Sequence, residues 1–228
     1  MKTIVVLTGA GISAESGIKT FRDSDGLWEE HRIEDVATYD AWIKNQNLVL
    51  EFYNQRRRQL ATVQPNAAHI ALAKLEAKYQ VYIITQNVDN LHERGGSSNV
   101  LHLHGELTKA RSTCDEDLVY DIGYKDILPG DKCKNGSQLR PHIVWFGEAV
   151  PLIMDAATLV KKADILMVIG TSLVVYPAAG LINYAPSHIP KYYIDPNASN
   201  SSCFTNLTVI KAKAGDGVPG LVERLMNN

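Results

Sequence analysis

Six short apolar runs punctuate the chain, and each leads into glycine or polar residues. Residues 3–8 end in Gly9-Ala10-Gly11-Ile12-Ser13-Ala14, residues 81–85 in Gln86-Asn87-Val88-Asp89, and residues 100–103 in His104-Gly105. Residues 165–169 end in Gly170-Thr171-Ser172, residues 192–194 in Asp195-Pro196-Asn197, and residues 207–210 lead to Ala214. Between them lie stretches with helical spacing, at 67–78, 152–162 and 220–226. Strands alternating with helices predict an α/β domain around an open parallel sheet. In such a sheet the strand ends face one crevice, where ligands bind, so the polar clusters are expected to form a single site.

Two stretches break the alternation. Residues 23–64 hold a helical block, 41–60, with Trp42, Leu48, Leu50, Phe52 and Tyr53 as apolar positions. Residues 107–139 are polar and rich in turn signals. A structureless loop that long does not suit a compact domain. The expected organisation is a large domain of residues 1–30, 65–106 and 140–228. A smaller one, of 31–64 and 107–139, packs over the crevice as two insertions.

Composition narrows the partners. The 228 residues carry a formal charge of −2 and are 45% hydrophobic and 21% charged. That is a globular chain with no global attraction to nucleic acid or an anionic membrane. No apolar run reaches membrane-spanning length. Three scattered cysteines argue against a disulfide scaffold and for a reducing cytoplasm. The chain is taken as a monomer.

The clusters suggest chemistry. Gly9-x-Gly11-x-x-Ala14 after a strand has the form of a dinucleotide turn: tight bend, close pyrophosphate approach, close packing. A second strand ending in an acidic residue does not follow within the usual distance. The glycine-flanked segment 17–28, with Phe21 and Arg22, reads as a ligand lid or as a surface loop. Gln86, Asn87 and Asp89 can hydrogen-bond a carboxamide, a ribose or an ordered water. His102 and His104 are two apart, hence on one face of a strand. From position alone His104 is a general base or a structural histidine. A paired-histidine metal site has no obvious third ligand, His92 being only a remote candidate. Residues 140–148 are an extended run that reads as a core strand or as an edge for a substrate peptide.

Together these segments resemble the sirtuin family of NAD-dependent protein-lysine deacylases. The resemblance rests on Gly9-Ala10-Gly11-Ile12-Ser13 with Ser16-Gly17-Ile18 and Phe21-Arg22, and on Gln86-Asn87-Val88-Asp89 with Leu91-His92. It continues through His104-Gly105, Leu139-Arg140-Pro141 with Val144-Trp145-Phe146-Gly147-Glu148, and Gly170-Thr171-Ser172-Leu173, in family order over nearly the whole chain. It implies a Rossmann-like parallel sheet with helices on both faces, plus a small domain from two insertions. It implies NAD, consumed as co-substrate, held by Gly9, Ala10, Gly11, Ile12, Ser13, Glu15, Phe21, Arg22, Gln86, Asn87, Val88, Asp89, Gly170, Thr171, Ser172, Asp195, Asn197 and Ala214. His104 becomes the general base and Asn87 a catalytic partner at the nicotinamide end. Val144, Phe146, Gly147 and Glu148 become contacts for the acylated lysine of a protein. Tyr53 and Arg56, three apart on a helix, match the Tyr-x-x-Arg pattern of the members that remove succinyl and malonyl groups. The same fold and cleft leave ADP-ribosyl transfer and simple NAD sensing as rivals.

Two departures stand out. Many sirtuins hold a structural zinc with two Cys-x-x-Cys pairs, whereas Cys114 and Cys133 stand alone. No metal is therefore expected. The small domain is expected to be held by Leu118, Tyr120, Ile122, Tyr124, Ile127 and Leu128. Tyr193-Ile194-Asp195 replaces the family's usual adenosine-side residues.

Overall fold

A computed structural model describes residues 1–18, the backbone of 27–28, and residues 31–173, 175–198 and 204–227. Six strands form one sheet: β1 (Thr3–Thr8), β4 (Gln80–Thr85), β5 (Val100–His102), β9 (Ile165–Ile169), β10 (Lys191–Ile194) and β11 (Leu207–Ile210). Their order is β11-β10-β9-β1-β4-β5, and every pairing is parallel. The chain runs outward from β1 in one direction, then returns to β9 on the other side. The switch point therefore lies between β1 and β9, where an open α/β sheet opens its crevice.

Both faces of the sheet are covered, which explains its continuous apolar runs. Ile4 and Val6 of β1 pack against α5 (Ala67–Lys74) and α8 (Ala214–Asn227). Val5 and Leu7, pointing the other way, pack against α7 (Ile153–Lys161) and the 3-10 turn Ala178–Tyr184. Asn66 caps α5: its side chain accepts from the Ala68 N–H while the His69 ring takes the Asn66 N–H, a capping box.

The two inserted stretches share a third core. The first holds a two-residue hairpin, β2 (Leu27–Trp28) with β3 (His31–Arg32), then α2 (Ile33–Val36), α3 (Tyr39–Lys44) and α4 (Gln46–Thr62). The second holds β6 (Gly105–Ser112), β7 (Val119–Asp121) and β8 (Leu139–Ile143), an antiparallel sheet in the order β7-β6-β8. Trp42, Phe52 and Tyr53 of the first pack with Ala110, Ile143 and Trp145 of the second. The border expected between 139 and 140 falls inside β8, because residues 139–143 pair with β6. Of the apolar residues expected to hold this module, Ile127 is buried and Ile122 packs at the core's margin. Tyr124 and Leu128 are exposed instead. The packing is supplied by α2–α4, which the composition of 107–139 alone does not show.

Candidate active site

The crevice at the C-terminal ends of the parallel strands is a cavity of about 880 Å³. It gathers Gly9, Ala10, Gly11, Ser13 and Glu15 after β1, Gln86, Asn87, Val88 and Asp89 after β4, and His104 after β5. Gly170, Thr171 and Ser172 after β9, Asp195 and Asn197 after β10, and Ala214 after β11 complete that side. Tyr53, Arg56, Val144, Phe146, Gly147 and Glu148 line it from the small module. Phe21 and Arg22 lie outside the described residues. Ile12 is the exception among the described candidates: its side chain is fully buried in the core beside Ile4 and Val6.

The glycine turn differs from expectation in its physical reason. Gly9 has an extended backbone (φ −128°), so no left-handed bend requires it. A Cβ on Gly9 would stand 2.7 Å from Thr171 Cβ, and one on Gly11 2.7 Å from Gly170 Cα. Gly170, with φ +62°, would meet the Ile12 nitrogen at 2.4 Å. The glycines let the two turns flanking the switch point touch. The Gly9, Gly11 and Ile12 N–H groups donate to Ile169, Gly170 and Gly9 carbonyls. They are thus spent within the fold rather than presented to a phosphate. Glu15 likewise accepts from the Gly215 N–H at 2.7 Å, joining this turn to the start of α8.

A polar chain crosses the crevice floor. The Asn87 carboxamide donates to Ser13 Oγ (3.0 Å), and the Ser13 hydroxyl donates to Asp89 Oδ2 (2.9 Å). The other Asp89 oxygen accepts from the Leu91 N–H at the start of α6 (Leu91–Arg94). Burial raises the Asp89 pKa, against the opposing pull of the Leu91 and Ser13 hydrogen bonds. The Gln86 amide donates to Thr171 Oγ1, tying the β4 and β9 ends together.

His104 and His102 do not share a strand face. β5 ends at His102, and His104 sits in the following turn. The Nδ1–H of His104 donates to the Gln86 carbonyl at 3.0 Å. That leaves Nε2 as an unprotonated acceptor, without a hydrogen bond among the described residues. Burial lowers the His104 pKa, the Gln86 carbonyl pulling the other way, so the ring is neutral near pH 7. A neutral, anchored imidazole lining a crevice suits a general base. Gly105 next to it has φ +81°, and a Cβ there would fall 2.0 Å from the His142 carbonyl. His92 belongs elsewhere: its Nε2 meets Thr8 Oγ1, and its ring packs on His69.

Tyr53 and Arg56 project from one face of α4, as their spacing predicts. Tyr53 is fully buried, and its hydroxyl accepts from the Trp145 indole N–H at 3.0 Å. Arg56 is 7% exposed and reaches over the Phe52 ring. The run Arg56-Arg57-Arg58 is no solvated face. Arg57 is completely buried, donating to the Leu107 carbonyl and to Asn54, and only Arg58 reaches the surface, pairing with Asp126 and Glu51.

The 144–148 segment is clamped rather than free. The Glu148 carboxylate accepts from Arg140 (2.7 and 3.1 Å), Arg111 (3.3 Å) and the Trp145 N–H (2.8 Å). The Arg140 guanidinium also stacks 3.3 Å above the Trp145 ring. Glu148 thus lines the cavity but spends its charge on holding the segment. The N–H groups of Val144 and Phe146 go to the His104 and Ala37 carbonyls. Their use leaves less of a pairing edge than the extended run suggests. Arg140 and Glu148 both lie in segments that carry the sirtuin resemblance, whereas Arg111, the second arginine on Glu148, had no signal in the sequence.

The two lone cysteines meet in space. Ser112, Cys114, Cys133 and Ser137 come together, with Ser112 Oγ 3.3 Å from Cys114 Sγ and 2.9 Å from Ser137 Oγ, and Cys133 Sγ 3.1 Å from Ser137 Oγ. Two thiols and two hydroxyls, already satisfying one another, do not fit a tetrahedral structural zinc, which takes cysteine, histidine or carboxylate ligands. Among the described residues no three His, Cys, Asp or Glu side chains assemble into a metal site.

Residues 9–177 match the Sir2 family. The chain belongs to the Sir2 family. It is 58% identical over 226 residues, 99% of its length and 98% of the relative's, to a protein of Helicobacter pylori named NAD-dependent protein deacylase. Among solved structures it resembles a Sir2 homolog–NAD complex (TM-score 0.89, 41% identity, covering 99% of this chain and 90% of that one). It also resembles a Sir2–p53 peptide–NAD+ complex (TM-score 0.81, 30% identity, 99% and 94%). No helix of the described residues is long and apolar enough to cross a membrane.

Proposed function

We propose that this Sir2 protein removes acyl groups from protein lysine side chains with NAD as co-substrate, yielding nicotinamide and O-acyl-ADP-ribose. One observation carries the proposal: a neutral His104, anchored through Nδ1, faces a single crevice with the Asn87–Ser13–Asp89 chain and all six strand ends. In this reading Asn87 and Asp89, through Ser13, order the nicotinamide-ribose end. The acyl oxygen attacks the ribose carbon as nicotinamide leaves, and His104 Nε2 then takes the proton of a ribose hydroxyl. Gly9, Gly11, Gly170 and Thr171 line the nucleotide side, with Asp195, Asn197 and Ala214 beyond them. Val144, Phe146 and Gly147 line the lysine side, where Glu148 holds their segment in place.

The acyl preference is the finer part of the proposal. Tyr53 and Arg56 sit together on the cavity wall beside Ile33, Ala37 and Leu60. A guanidinium there pairs with the carboxylate of a succinyl or malonyl group, and the surrounding apolar wall accepts the acetyl group as well. The free thiols of Cys114 and Cys133 support a reducing, cytoplasmic setting.

The test is mass spectrometry of acetyl-, malonyl- and succinyl-lysine peptides with and without NAD. Mass losses that require NAD and release nicotinamide are expected. ADP-ribosylated protein in their place, or NAD binding without turnover, refutes deacylation. His104→Ala is expected to cut turnover by at least about a hundredfold while NAD still binds.

A further inference from the structure

Two histidines grip consecutive carbonyls of the loop after β4. His104 holds that of Gln86, and His102, through Nδ1, that of Asn87 at 3.1 Å. Only His104 lines the cavity. His102 is 8% exposed, and its Nε2 faces Glu93 Oε1 of α6 at 2.8 Å. We propose that His102, held by Glu93, is a positioning residue that fixes the Asn87 peptide and so keeps the Asn87 carboxamide on Ser13 at the crevice floor. The inference rests on the role given to Asn87 above.

The hydrogen-bond inventory makes the proposal specific. Both ring nitrogens of His102 face acceptors. A neutral imidazole carries one N–H and serves only one of them, whereas the imidazolium serves both. Burial disfavours that charge. The Glu93 hydrogen bond and charge, the charge of Glu106 on β6 and the Asn87 carbonyl outweigh it, so the His102 pKa is raised. Asp89 adds to the negative surroundings, His92 stands beside the ring, and Lys109 faces Glu93. The doubly held state is therefore complete below the raised pKa and lost as pH climbs through it. The proton that remains stays on Nε2, against the Glu93 carboxylate, and the Asn87 bond is the one that lapses.

Two near-isosteric variants separate the contacts. His102→Asn keeps an amide donor near the Nδ1 position and has no charge to lose. His102→Gln keeps one near Nε2 and leaves the Asn87 carbonyl unheld. Nicotinamide release is measured against acyl-lysine peptide from about pH 6 to pH 9, the range in which His104 shapes only the acid side. His102→Gln is expected to lose about tenfold in kcat, the worth of one hydrogen bond, with peptide KM unchanged. His102→Asn restores most of that turnover and lacks the fall in rate at high pH. Glu93→Gln moves that fall to lower pH. Equal losses in the two His102 variants, or a high-pH fall that persists in His102→Asn, overturn the inference. Asn87→Ala separates it from the underlying reading. Release that survives Asn87→Ala overturns both. Release lost in Asn87→Ala but normal in both His102 variants overturns this inference alone.

Discussion

Replacing Arg56 by methionine isolates the acyl-carboxylate contact. Arg56 is 7% exposed and lines the cavity, so a carboxylate meeting it leaves most of its water behind. Its guanidinium carbon sits 5.6 Å from the centre of the Phe52 ring, and methionine keeps much of the side chain's apolar volume while deleting the charge. A hydrogen bond to a charged group is worth about 1.5–3 kcal/mol, which converts to roughly 10- to 150-fold in kcat/KM. Arg56→Met is therefore expected to lose about that factor on succinyl- and malonyl-lysine peptides. An acetyl group has no carboxylate, and its kcat/KM is expected to stay within about threefold, below the worth of such a bond. The assay is kcat/KM on one peptide carrying the three acyl groups in turn, followed by product mass. A melting curve within a few degrees of the parent guards against general damage. Equal losses on all three substrates, or a selective loss on acetyl-lysine, refutes the carboxylate assignment.

Other consequences follow from the clamp and the thiol cluster. Arg140→Met removes two hydrogen bonds to Glu148 and the stack on Trp145. It is expected to cost about 2–3 kcal/mol, a drop of roughly 4–12 °C in Tm, and to raise peptide KM more than NAD KM; an unchanged Tm contradicts it. Burial pushes the Glu148 pKa up, but the Arg140 bond, the Trp145 N–H and the charges of Arg140 and Arg111 outweigh it, leaving the pKa low. A depressed folded value means stability present above the ordinary carboxylate pKa and lost as pH falls through the folded one. In denaturant titrations the gap between the parent and Arg140→Met should narrow below about pH 4, and a constant gap sinks the assignment. Exhaustive chelation is expected to leave Tm unchanged within about 1 °C, because a structural zinc contributes folding energy outright; a large drop reveals a metal that the Ser112–Ser137 cluster does not suit.

What was legible follows from how each element is stabilised. The six parallel strands are buried on both faces, so each appears as an unbroken apolar run, and their ends locate the crevice. The sequence pattern predicts α8 only from 220. Gly215, Gly217 and Pro219 look like a turn, yet the helix begins at Ala214. A Cβ on Gly217 would stand 2.8 Å from Ile194 Cγ2, so packing against β10 selects that glycine, not a bend. The extended run from 140 does contain a strand, β8, but its partner, β6, lies some thirty residues earlier in the chain, and no local pattern states that pairing.

The site divides along the same line. Residues that end a strand declare themselves by position, as Asn87, His104 and Thr171 do. Residues that hold those residues do not. His102 looks like a second copy of His104, and Glu148 like one more crevice carboxylate, until their partners are known. The three arginines after Tyr53 make the point most clearly. Each is about 100° further around α4 than the last. The first therefore faces the cavity, the second a buried carbonyl and the third Asp126 at the surface. Identical chemistry yields a candidate specificity residue, an internal brace and a solvent-facing ion pair. Helical register measured from Tyr53 separates them, and composition, which sees a basic triplet, cannot.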